Sequence, residues 1–145
     1  MPNHTAAIRK YDSSASRITA TPKPAFWMMG CYSIQRPEVL RWALDEPGIV
    51  ELTARPDQRF RAQQLYEVWV DGSKHLGSSW SPVSEAQLEL RTGNGFYGCV
   101  YTLTRAEGGL RGAGRRWSDV PIVHTPDLPV FLRRVPCTAS APTPD

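Results

Sequence analysis

The stretch that decides the fold runs from residue 87 to residue 117 and reads QLELRTGNGFYGCVYTLTRAEGGLRGAGRRW. Its first five residues alternate between polar and apolar, which is typical of a strand with one buried face. Two glycine-containing breaks, TGNG at 92–95 and AEGG at 106–109, separate this run from the two that follow. Short glycine turns between segments of period two predict a meander of three antiparallel strands.

The same two-residue period continues on both sides of the meander. The segment LYEVWV at 65–70 ends at an Asp-Gly turn, and further strands are expected at 26–34, 48–53, 120–124 and 129–135. Residues 37–46 instead carry apolar side chains at helical spacing and end at a Pro-Gly pair, which predicts one short helix after the first strand.

An all-β chain of this pattern leaves two architectures. One is an antiparallel up-and-down β-barrel of about eight strands, and the alternative is a β-sandwich. The best-defined connections are hairpins between sequential neighbours, whereas a sandwich needs longer crossovers. The pattern therefore favours the barrel.

The chain has 145 residues, 41% of them hydrophobic, which is room for one domain. Residues 1–24 and 138–145 are polar and have no apolar period, so we expect both segments to be disordered. Residues 25–137 remain as a single barrel domain. No run approaches the roughly 18 apolar residues of a membrane-spanning helix, so we expect no membrane span.

Charge and the N-terminal sequence narrow the partners and the location. The net charge is +3, and the arginines are scattered along the chain, which argues against nucleic acid as a partner. The first 24 residues lack the apolar run of a secretory signal. We therefore expect a cytoplasmic protein, unless a misassigned start hides a leader.

Three cysteines lie far apart in the sequence, at Cys31, Cys99 and Cys137. An odd number at wide spacing suits neither a disulfide framework nor a zinc site, and buried or free thiols are one interpretation. A pair between Cys31 and Cys137, tying the C-terminal tail to an early strand in an exported protein, is the other. Cys99 falls between two tyrosines on one strand face, which favours the core over a catalytic dyad with His124.

A family resemblance rests on Gly30-Cys31-Tyr32 in the first candidate strand, followed by the short helix and the meander. This order resembles the calycin superfamily of lipocalins and fatty-acid-binding proteins, whose first strand carries Gly-x-Trp, and it is similar to the layout of small bacterial proteins. The resemblance covers about residues 26–117. The lipocalin Thr-Asp-Tyr signature is absent, and residues 117–120 read WSDV. The resemblance implies a barrel fold and no particular activity.

The chain lacks the local signatures of catalysis. Gly-x-Ser-x-Gly, His-Glu-x-x-His, Cys-x-x-Cys and the phosphate-binding loop do not occur. His75, expected in a turn, and His124 are isolated, so no metal, cofactor or catalytic residue is predicted. An enzyme would need a site assembled across strands.

The candidate ligand-binding residues are the phenols on the predicted strands and one cation at a strand end: Tyr32, Tyr66, Tyr97, Tyr101 and Arg116. Arg116 shares a strand face with Gly112 and Gly114. If that face looks inward, Arg116 is a cation at the edge of an apolar interior, where it can pair with a ligand carboxylate. Otherwise Arg116 faces water and the glycines relieve curvature.

Two functions remain open from the sequence. The leading hypothesis is a barrel that holds a small, partly apolar ligand in its interior, because eight-stranded barrels are just wide enough for one. The alternative is a ligand-free module for protein interaction or structure, with its partner unknown.

Overall fold

Eight antiparallel strands close into one barrel in the computed structural model, which describes residues 22–41, 46–118 and 126–138. Each strand pairs with its neighbours in sequence, and the last strand pairs with the first. The strands are β1 (Gly30–Gln35), β2 (Ile49–Phe60), β3 (Gln63–Val70), β4 (Ser73–Pro82), β5 (Gln87–Gly93), β6 (Tyr97–Ala106), β7 (Gly109–Ser118) and β8 (Leu128–Val135). The predicted up-and-down barrel is confirmed, and the sandwich is excluded.

Two 3-10 helices flank β1. The N-terminal turn spans Phe26–Met28 and the second turn spans Glu38–Arg41. The strand expected at 26–34 therefore begins later, at Gly30. The expected helix at 37–46 is only a four-residue 3-10 helix in the described part, and residues 42–45 lie outside it.

The predicted meander is confirmed as β5, β6 and β7, whereas β4 was not predicted. His75 lies within β4, so its expected place in a turn is wrong. The strand expected at 120–124 lies outside the described residues. So do residues 1–21 and 139–145 of the two expected disordered segments, and His124.

Alternation along the strands builds the core. Leu88 and Leu90 are fully buried, while Arg91 is exposed and Glu89 only partly covered, as the period predicts. The largest inward side chains, all less than 2% exposed, are Trp80, Tyr32, Tyr101, Leu52, Leu103, Leu110 and Leu132. They fill the barrel from several strands at once.

The two short helices close the two ends of the barrel, because one precedes β1 and the other follows it. At the lower end, the N-terminal turn places the fully buried Met28 in the core. At the upper end, the second turn places Leu40 there. We call the end of the barrel where β1 begins the lower end and the end where β1 stops the upper end.

A disulfide joins Cys31 of β1 to Cys137, just past β8, across 106 residues of sequence. Cys99 is a free thiol and is buried. The interpretation as buried or free thiols is thus correct for Cys99 and wrong for Cys31 and Cys137, which form the alternative pair. Across the described ranges, no helix is long and apolar enough to cross a membrane.

Candidate functional site

A group of polar side chains lies inside the upper end of the barrel. Arg36, directly after β1, reaches inward and donates from Nη1 to the Tyr101 phenol oxygen at 3.1 Å. Its Nη2 donates to the Pro47 carbonyl at 2.8 Å. Tyr101 is fully buried, so this guanidinium and this phenol lie in the barrel interior. Burying such polar groups costs free energy that apolar side chains at the same place would not cost.

A carboxylate and a thiol extend this group. The Thr92 hydroxyl donates to Oε2 of Glu46 at 2.8 Å, and Thr92 is fully buried. The Cys99 thiol donates to the Leu40 carbonyl at 3.2 Å, which ties β6 to the second turn. We call Arg36, Glu46, Thr92, Cys99 and Tyr101 the upper cluster.

Strand register explains how these residues come together. Thr92 continues the inward face of Leu88 and Leu90 on β5, and Leu90 lies opposite Tyr101 on β6. Pro37 directly precedes the second turn, and the Leu40 amide donates to the Pro37 carbonyl at 2.9 Å. The second turn, through its fully buried Leu40, therefore covers the barrel mouth at the upper end.

Burial and the neighbouring side chains of the upper cluster together set the pKa of the Tyr101 phenol. Burial raises the pKa of Tyr101 well above its ordinary value, because a buried phenolate loses its hydration. Cys99 and Glu46 raise the pKa further, and the Arg36 charge lowers it in part. Tyr101 therefore stays neutral and keeps an O–H donor while its oxygen accepts from Arg36.

The structure places Arg116 on the inward face of β7, at the upper end. It lies opposite Cys99 in the β6–β7 register, and its Nε is shielded from solvent. Gly114 on the same face is buried, and a Cβ there would lie 2.7 Å from the Tyr101 ring. The glycine face of β7 therefore looks inward, and Arg116 at its upper end is half-buried, so its pairing with a ligand acid stays a prediction.

The other predicted residues lie elsewhere in the barrel. Tyr97 is half-buried at the start of β6, near the upper end. The Tyr66 ring packs against Trp80 inside the barrel, with centroids 5.6 Å apart. Tyr32 lies at the lower end, whereas Tyr97, Tyr101 and Arg116 share the upper end, so the five predicted residues do not form one site.

At the lower end, Tyr32 has an arginine partner of its own. The Arg134 guanidinium lies 4.8 Å from the Tyr32 ring centroid and donates to the Tyr32 oxygen at 2.6 Å. It also donates to the carbonyls of Trp27 and Met29, on either side of the N-terminal turn's last residue. Burial raises the pKa of Tyr32, and the Arg134 charge partly lowers it.

Sequence reasoning missed Arg36, Glu46 and Thr92. The hydrogen bonds that join them to the site span 65 and 46 residues of sequence, so no local motif marks them. One signal was available for Thr92, because it is a polar residue at the inward position of an alternating strand.

A second concave region lies on the outside of the barrel. This outer cleft has a volume of about 460 Å³ and is lined by residues of the β2–β3 hairpin together with β4, β5 and Trp117. The Arg91 guanidinium covers the Trp117 ring at 5.4 Å from its centroid. Phe60 and Phe96, at or beside this cleft, are 60% and 70% exposed.

Comparison of the chain with protein-family models, with curated proteins and with solved structures finds no match. Functional inference therefore depends on the barrel and on the side chains that line its two ends.

Proposed function

We propose that this chain is a calycin-like barrel that binds a small molecule with an apolar body and one acidic group at its upper end. Eight strands in up-and-down order are the architecture of lipocalins. Gly30 begins β1 with φ near 132°, in a conformation that favours glycine, and the Tyr32 ring follows it into the core. These features support the family likeness.

The observation that carries the ligand proposal is the hydrogen bond between Arg36 and Tyr101 inside the barrel. An ionised guanidinium near an apolar interior is costly unless it is paired, and its planar fork suits a carboxylate or a sulfonate. The neutral Tyr101 phenol adds a neighbouring donor. Arg116, opposite Cys99 on the next strand, adds a second positive charge at the same end.

The free protein offers an internal substitute for such a ligand. Leu40 fills the apolar space beside Gly114, and its Cδ1 would lie 3.3 Å from a Cβ there. Glu46 supplies a carboxylate that accepts from the Thr92 hydroxyl at the same end. A ligand would displace both side chains, with its apolar body in the place of Leu40 and its acid in the place of Glu46.

Two fluorescent probes that differ by one charged group test this proposal. 8-Anilinonaphthalene-1-sulfonate is an aromatic anion, and N-phenyl-1-naphthylamine is the same ring system without the sulfonate. We expect saturable binding of the anion, with Arg36→Met weakening it at least about tenfold, the value of one charge-assisted hydrogen bond. The neutral probe should respond little to this change.

The matched control is Arg91→Met, which removes an exposed arginine from the outer face of β5. Its affinity for the anionic probe should stay within about twofold of the unmodified protein. If neither probe binds saturably, the result favours the alternative function, a ligand-free module that acts through its outer surface. If Arg36→Met binds the anion unchanged, the acid does not lie at the upper end.

A further inference from the structure

The disulfide has an acidic neighbour on the next strand. Cys31 on β1 lies directly opposite Glu51 on β2, and both side chains leave the same outer face of the sheet. Across the other side of β1, Cys31 faces Val135, two residues before Cys137. A sulfur from each cysteine and a carboxylate oxygen of Glu51 all lie within 4.8 Å of one another.

This group is open to solvent from one side. A surface cleft of about 280 Å³ is lined by both cysteines, Glu51 and Asp71. Cys137 is exposed, while Cys31 is only 6% exposed. A reductant can therefore reach the Cys137 sulfur, and an ion can enter by the same route.

We propose that the reduced form of this protein binds a zinc ion through Cys31, Cys137 and Glu51. Two thiolates and one carboxylate are three of the ligands that zinc takes in tetrahedral sites, and water would complete the set. Thiolate sulfur selects zinc over magnesium or calcium. Zinc–sulfur bonds of about 2.3 Å put two sulfurs about 3.8 Å apart, a separation within reach of cysteines whose Cα atoms are 5.4 Å apart.

The reaction that forms the site is a two-electron exchange with a dithiol. One thiolate of the dithiol attacks the exposed Cys137 sulfur, the Cys31–Cys137 bond breaks, and Cys31 leaves as a thiolate. The second thiol of the dithiol then displaces Cys137, so the reductant ends as its own disulfide. When zinc binds, the two cysteine thiols release their two protons.

The test uses the full chain, a phosphine as reductant and zinc alone as the probe. The phosphine supplies the same two electrons, takes an oxygen from water and leaves two thiols. Zinc is then titrated against a chromophoric chelator, and the fold is followed by circular dichroism. We expect one zinc per reduced chain and none bound by the oxidised chain.

Variants separate this site from adventitious thiol binding. Cys137→Ser should abolish zinc binding, and Glu51→Gln should weaken it at least about tenfold. Two controls should bind zinc as the unmodified chain does: Cys99→Ser, which removes the buried thiol, and Glu89→Gln, which neutralises an outer-face carboxylate on β5. Cobalt in place of zinc should give the charge-transfer absorption of two thiolate ligands, which is lost in Cys137→Ser.

Three outcomes would overturn the zinc site. A reduced, folded chain that binds no zinc overturns the proposal, and so does a Glu51→Gln variant with unchanged affinity. If reduction unfolds the chain, zinc should restore the native circular dichroism, and failure to restore it also overturns the proposal. These results are independent of the anionic probe, because the upper cluster contains neither of the two disulfide cysteines.

Discussion

The two ends of the barrel use the same chemical pair in two different ways. At the lower end Arg134 bonds the Tyr32 phenol, and at the upper end Arg36 bonds the Tyr101 phenol. The remaining donors of Arg134 go to backbone carbonyls around the N-terminal turn. The lower pair therefore works as a clamp that fixes a chain segment to the barrel.

The upper pair has different surroundings. A carboxylate, a hydroxyl and a thiol lie with it, and the carboxylate comes from Glu46, just before β2. Both Glu46 and Arg36 act on the pKa of Tyr101, whereas among the described residues Arg134 is the charge that acts on the pKa of Tyr32. The comparison shows that one tyrosine–arginine pair can be structural while another, with extra polar partners, is suited to bind an acid.

The largest expected effect on stability is at the clamp. Arg134→Met removes three hydrogen bonds donated by a charged group that solvent partly reaches, so after this screening the free energy of unfolding should still fall by about 2 to 3 kcal/mol. Chemical denaturation measures this change. Arg133→Met alters the next arginine, which is also exposed but lies on the outer face of β8, and should change the free energy of unfolding by less than about 0.5 kcal/mol. Equal effects from the two variants would show that there is no clamp.

A smaller effect is expected from crowding the upper end. Gly114→Ala places a Cβ 2.7 Å from the Tyr101 ring and 3.3 Å from Leu40, both of them buried. Such overpacking should cost about 2 kcal/mol of stability and should also weaken the anionic probe. Gly48→Ala is the control, because nothing lies within 4 Å of a Cβ at Gly48. An unchanged stability for Gly114→Ala would mean that the interior has room beside Tyr101.

The smallest effect distinguishes the two phenols by pH. Both folded pKa values are raised, so each contribution to stability is complete below the unfolded value of about 10 and is lost as the pH rises above it. Each buried phenol should steepen the loss by about 1.4 kcal/mol per pH unit. The loss due to Tyr32 should end at a lower pH than that due to Tyr101, since an arginine opposes the rise in pKa at both phenols but Cys99 and Glu46 add to it only at Tyr101.

The measurement is the free energy of unfolding between pH 9 and pH 11.5, a window set by the ordinary tyrosine pKa of about 10. Tyr101→Phe and Tyr32→Phe should each remove one part of the slope. A slope that both variants leave unchanged would contradict the burial of the two phenols.

Much of the fold was predictable because neighbouring residues encode it. The alternation from Gln87 to Arg91 and the glycine turns at Gly95 and Gly108 are local signals, and the structure follows them. β4 was missed because SKHLGSSWSP offers little alternation. Its strand geometry comes from pairing with β3 and β5, which no local pattern shows.

The candidate site was predictable only in part, for the same reason. The inward placement of Tyr101 and Arg116 was predictable because each lies on a strand whose apolar face shows in the sequence. Arg36 and Glu46 lie outside regular strands, and barrel closure alone brings them to β5 and β6. The disulfide also depends on closure, because it joins residues 106 apart in sequence.

We propose that the upper end holds a small acidic molecule. Mass spectrometry of the gently purified protein tests this most directly. Native and denaturing spectra are compared for the unmodified chain and for Arg36→Met. We predict a defined mass excess in the native spectrum of the unmodified chain, released on denaturation as an anion and lost in the variant. A native mass equal to the denatured mass, under conditions where the anionic probe also fails to bind, would contradict it.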